Sequence, residues 1–107
     1  MQIQLNGVIT KDEGMVVADV TEIGQCTWGY SLDQVMEDLP RLIIAHFAAL
    51  RLIGQYDATL ARLGVIDDGQ ALHVNLHVSI GVDALPQPTG ASMSIDSQVV
   101  VPQPEAA

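Results

Sequence analysis

Met15-Val16-Val17-Ala18-Asp19-Val20, then Glu22-Ile23-Gly24-Gln25-Cys26-Thr27-Trp28-Gly29, then Ser31-Leu32-Asp33-Gln34 and an apolar-periodic run to Ile53: this stretch, bounded by Gly14 and Gly54, decides the fold. In its first part Val16, Ala18 and Val20 share one side of an extended chain, and Met15, Val17, Asp19 and Thr21 the other. Apolar residues on both sides predict a central strand, covered by a helix on one face and partly covered on the other. Cys26, Trp28 and Tyr30 alternate with Gln25 and Thr27 between glycines, the pattern of a third antiparallel strand. Ser31 then offers an N-cap oxygen, and Gln34 three residues later completes a capping box. Leu32, Val35, Met36, Leu39, Ile43, Phe47 and Leu50 repeat every 3.6 residues, so one helical stripe packs on the sheet. Pro40 falls inside that run, but the stripe keeps its phase across it, which predicts a kinked, continuous helix. Asp33, Glu37, Arg41 and Arg51 fall on its solvent side.

Working outward, Ile3, Leu5 and Ile9 alternate with Gln2, Gln4, Asn6 and Thr10, as in a half-buried strand with room for a bulge at Gly7. Lys11-Asp12-Glu13-Gly14 closes a hairpin onto the Met15 strand. Gly54 stops the main helix, and Tyr56, Leu60 and Leu63 give a short second helix within 55–64. Asp67-Asp68-Gly69 is a turn, followed by alternation from Ala71 to Val82 that predicts a strand in the same sheet, its His73, Asn75, His77 and Ser79 row facing solvent or a partner. Beyond Asp83 the composition turns to Pro, Ser, Gln and Ala, a tail with an edge strand at 92–101. The valine run 99–101 would pair with its own sheet or with another subunit. The expected fold is α+β: a small antiparallel sheet with one main helix on it, in the order β-β-β-α-(α)-β, with a domain at 1–82 and a tail at 83–107.

Composition bounds what such a fold can do. The chain has 107 residues, 49% of them hydrophobic, enough for one domain with a core. Thirteen Asp and Glu against four Lys and Arg give a net charge of −9, which repels phosphate backbones and favours a basic protein partner. The single cysteine, Cys26, excludes an intrachain disulfide and fits a reducing compartment. The start of the chain lacks the pattern of a signal peptide, and no stretch approaches the roughly 20 apolar residues of a membrane span. A cytoplasmic protein is expected.

Residues with chemistry are few. His73 and His77 share a strand face but stand on the order of 13 Å apart, too far for one metal ion. Asp19 is the one acidic residue embedded in an apolar strand, and nuclease chemistry would need a carboxylate cluster around it that the sequence does not supply. His46 falls at the edge of the helical stripe and reads as a packing residue. Ser31 lies in no G-x-S-x-G context, and no glycine-rich phosphate loop is present. Trp28 and Tyr30 have no basic residues interleaved, so they read as core or interface aromatics rather than base-stacking ones. No catalytic residue, cofactor site or metal site is assigned.

From Val17 to Val35 the sequence resembles the HicB-like antitoxin family. Ala18 stands for its strand alanine, Cys26 and Thr27 for its C-x-T, and Gly29 with Ser31-Leu32 for its G-x-T-L; Met36 to Leu50 takes the place of the family helix. The usual L-P-G-C is here Ile23-Gly24-Gln25-Cys26, and nothing from Asp83 to Ala107 resembles the DNA-binding module that many members append. The resemblance implies a reduced ribonuclease-H-like β-β-β-α-β unit. It also implies a non-enzymatic role: binding and neutralising a small basic HicA-type messenger-RNA ribonuclease. Asp19 and Glu22 near the sheet, with Asp33 and Glu37 on the helix, are the expected partner-binding residues. The alternative is a stand-alone, homo-oligomeric structural or ligand-binding domain with no toxin, motivated by open strand edges and the valine run.

Overall fold

The computed structural model describes residues 1–85 and 93–103; the prolines expected in the tail at 86, 88 and 104, and Ser92 at the start of the expected edge strand, lie outside the described residues. Three strands open the chain: β1 (Gln2–Asp12), β2 (Met15–Val20) and β3 (Gln25–Gly29). Two helices follow, α1 (Leu32–Leu52) and α2 (Tyr56–Arg62), then β4 (Leu72–Ile80) and β5 (Met93–Val101). The sheet order is β3-β2-β1-β4-β5.

The expectation of an antiparallel sheet is corrected here. β1 and β4 run parallel, from Gln2 opposite His73 to Ile9 opposite Ile80, while the other three pairs are antiparallel. The physical reason lies in the connection: β4 follows two helices, and only a crossover of that length can bring a strand back in the same direction beside β1. No bulge forms at Gly7, whose pairing is continuous with both Val20 and Val78. Gly7 is buried instead.

One face of the sheet makes the core. Ile3, Leu5 and Ile9 of β1, Val16, Ala18 and Val20 of β2, and Leu72, Val74, Leu76, Val78 and Ile80 of β4 are all buried. They pack with Val35, Leu39, Ile43 and Phe47 of α1. Four such side chains contribute about 1.5–3 kcal/mol each in apolar burial. That exceeds the cost of about 3 kcal/mol for an interior proline, and α1 accordingly runs unbroken through Pro40.

The helix start departs from the expected capping box in one detail. Gln34 N–H donates to Ser31 Oγ at 3.2 Å, as expected, but Gln34 Oε1 reaches back one residue further and accepts from Tyr30 N–H at 3.1 Å. At the other end, Arg51 is not a solvent-side residue. Its guanidinium lies 4.2 Å from the Tyr56 ring centroid and donates to Tyr56 Oη at 3.0 Å and to the Pro102 carbonyl at 2.6 Å. It joins α1, α2 and the end of β5. The Asp67-Asp68-Gly69 turn forms through two side-chain bonds, Gly69 N–H to Asp67 Oδ1 and Gln70 N–H to Asp68 Oδ1, both at 2.9 Å.

β5 adds to the sheet along its whole length, from Ile80 opposite Met93 to Leu72 opposite Val101. Val99 and Val101 enter the core, so the valine run pairs with its own sheet. No helix among the described residues is long and apolar enough to cross a membrane.

Candidate partner-binding face

A strand presents alternate side chains to opposite faces, so every strand that buries a row against α1 shows a second row on the far side. Registers align these rows. Asp12 and Met15 face each other at the hairpin end; Thr10, Val17 and Trp28 form the next row. Then come Cys26, Asp19, Val8, Ser79 and Ser94, followed by Asn6, His77 and Asp96. Gln4, Asn75 and Gln98 form another row, and Gln2, His73 and Val100 the last.

This face is open. The second side of β2 is partly covered, as expected: Met15 and Val17 are half-buried, while Asp19 is exposed and Val8 on the neighbouring strand is 48% exposed. Trp28 and Tyr30 are not core residues, being 59% and 76% exposed and set edge to face at 6.2 Å. Trp28 is thus a large apolar group left open at a sheet margin.

The electrostatics of the face are one-sided. Asp12, Asp19 and Asp96 project from it, and Glu22, in the short 3-10 turn after β2, reaches its edge, where Glu22 Oε2 accepts from both the backbone N–H and the Nδ2 of Asn6 at 2.9 Å. Neither Lys nor Arg lies on the open face among the described residues. Lys11 sits on the helix-side parity of β1, Arg41 and Arg51 on α1, and Arg62 on α2. Arg41 is paired with Glu37 at 3.3 Å.

The four residues expected to bind a partner are therefore divided. Asp19 and Glu22 lie on the open face, whereas Asp33 and Glu37 lie on the exposed side of α1, beyond the core. A single flat partner surface cannot engage both pairs. Asp96 joins the first pair, and β4 places His77 beside it with Nδ1 donating to Asp96 Oδ1 at 2.6 Å. A carboxylate only accepts, so the imidazole is the donor in this contact. Gln4, Asn75, His77, Asp96 and Gln98 line a shallow depression of about 470 Å³. Side-chain amides and an imidazole around a carboxylate make this a hydrogen-bonding surface. Asp96 could not be tied to Asp19 from sequence, since the strand order β2-β1-β4-β5 that aligns them arises only on folding.

No group of three or more His, Cys, Asp and Glu converges among the described residues. His46 packs against the Phe47 ring at 5.5 Å, as its place in the stripe predicts, and burial lowers its pKa from the ordinary value of 6.5. The fold and face together describe an α+β domain with one helix-covered and one acidic, open sheet face. Comparison of the chain with models of known protein families, with curated proteins and with solved structures finds no match.

Proposed function

We propose that this chain is a non-enzymatic binding domain that uses its open sheet face to hold a small basic protein, in the manner of a HicB-like antitoxin neutralising a HicA-type ribonuclease. The observation that carries the reading is the charge of the face: Asp12 on β1, Asp19 on β2, Glu22 in the turn after β2 and Asp96 on β5, with every Lys and Arg of the chain placed elsewhere. Opposite fields accelerate encounter and fix orientation more than they add affinity. Trp28 at the β3 margin supplies a large aromatic contact, the residue type that most often anchors an interface. Support for the antitoxin type comes from the opening order β-β-β-α-α-β, to which β5 is added, and from the resemblance of Gly29-Tyr30-Ser31-Leu32 to G-x-T-L; of C-x-T the chain keeps the cysteine, with Thr27 directly after it. Asp33 and Glu37 drop out of the contact set, because they lie across the core from the other two.

The test is co-purification with the product of the neighbouring reading frame, followed by titration at low and high salt. A basic ribonuclease that binds, loses activity and binds more weakly as salt rises supports the reading. The double substitution Asp19→Lys with Asp96→Lys should weaken that binding by tenfold or more, while Asp33→Lys with Glu37→Lys leaves it within about twofold, given the fall of exposed-charge effects beyond about 10 Å. Equal losses in both doubles would remove the open face from the site.

A further inference from the structure

The sheet ends in β5, whose outer edge has no strand beside it among the described residues. Such an edge presents a row of unpaired N–H and C=O groups, and monomeric proteins blunt it with lysine, proline, a bulge or a very short strand. β5 has none of these. It is nine residues long, Met-Ser-Ile-Asp-Ser-Gln-Val-Val-Val, pairs with β4 at every position without a bulge, and carries one charge, Asp96. The opposite edge, β3, is five residues long and ends in Gly29. Apolar groups are also left open on β5, with Met93 51% and Val100 44% exposed and Ile95 half-buried.

We propose that β5 is a homodimer interface, where a second copy of this chain adds antiparallel to the same strand and joins two five-stranded sheets into one. In an antiparallel pair, residues directly opposite each other lie on the same face, so the two-fold axis of a symmetric pairing must pass through a residue. An axis at Asp96 sets two carboxylates against each other, which is destabilising. An axis at Gln98 shortens the overlap and puts Ser94 opposite Pro102 of the partner subunit, which has no N–H to give. An axis at Ser97 avoids both faults and pairs all nine residues. Asp96 then faces the partner's Gln98, Ile95 faces the partner's Val99, and Met93 faces the partner's Val101. The core-side row thus continues from one copy into the next, and the acidic open faces merge into one surface. Two chains of charge −9 repel at long range, so screening favours this contact. The salt dependence is opposite to that of a basic partner on the open face, and neither reading depends on the other.

Sedimentation velocity of the full chain over a wide concentration range, at low and high salt, tests the interface. A monomer–dimer equilibrium that tightens with salt is expected. Two substitutions at an exposed position then probe the register: Gln98→Glu faces Asp96 across the axis twice and should weaken the dimer by about tenfold, and Gln98→Lys should tighten it by a similar factor. A chain that stays monomeric at every concentration and salt, or a dimer that both variants leave unchanged or move in the same direction, overturns the proposal. Circular dichroism of the isolated variants confirms that the fold is retained, as an exposed site with no buried contact predicts.

Discussion

Gly29 is a glycine because of a side chain five residues away. A Cβ built there would lie 2.8 Å from Gln34 Oε1 and 3.0 Å from its Cδ, so any substitution pushes Gln34 off the Tyr30 N–H that it caps. Gly29→Ala should therefore destabilise by about 1 kcal/mol, the scale of one lost net hydrogen bond, with Gln34→Ala costing a similar amount and the double variant little more. Urea denaturation of the three proteins checks this coupling. His46 carries a different consequence. Burial disfavours its charged form, so the folded chain holds a proton there less readily than the unfolded chain does. Stability from this group is complete above the ordinary value of 6.5 and falls as pH drops below it. In a series of urea midpoints from pH 7.5 downward, His46→Gln should lose less stability than the parent over the first unit below that value.

Elements reveal a conflict between local preference and packing. Pro40 removes the bond its N–H would give to the Met36 carbonyl in α1, yet the helix persists because Val35, Leu39, Ile43 and Phe47 are fully buried on either side of it. Pro40→Ala should stabilise the protein by about 1–3 kcal/mol, reduced by the greater freedom of the unfolded alanine chain. A thermal melt that rises on this substitution agrees; one that falls would mean that the proline is relieved by a local contact. At the C-terminal end of the same helix, Arg51 holds the helix pair to the end of β5 through Tyr56 and the Pro102 carbonyl. Arg51→Ala should cost about 2 kcal/mol, the sum of a charge-assisted hydrogen bond and a cation–π contact. Arg51→Lys should recover only part of it, since an ammonium cannot fork to two acceptors.

At the scale of the whole molecule the sheet links its two ends through one core. Val101 on β5 and Trp28 on β3 belong to opposite edges, separated by β4, β1 and β2. Val101 is 1% exposed, and its replacement by alanine should destabilise the chain by about 1–2 kcal/mol by loss of buried methyl groups. If folding is cooperative across the sheet, Trp28 fluorescence and helical circular dichroism will report the same lowered midpoint. Separate transitions would show that β5 unfolds on its own. At this scale the open face also acquires a single sign of charge, because the pairing places the carboxylates of β1, β2 and β5 on it and leaves the four Lys and Arg off it.

Local pattern determined much of this protein. The 3.6-residue stripe from Leu32 to Leu50, the Ser31 cap, the stop at Gly54, the Asp67-Asp68-Gly69 turn and the alternation in β1, β2 and β4 are all carried by neighbours a few residues apart, where sequence spacing and spatial spacing coincide. Register and direction are not local. Whether β4 lies beside β1 and parallel to it, whether Trp28 faces solvent, and whether Arg51 meets Tyr56 and Pro102 depend on how helix and sheet pack after the loops close. The division of Asp19 and Glu22 from Asp33 and Glu37, and the pairing of Asp96 with His77, follow from the same cause. Residues 19 positions apart in the chain share a face only once β4 and β5 are hydrogen-bonded.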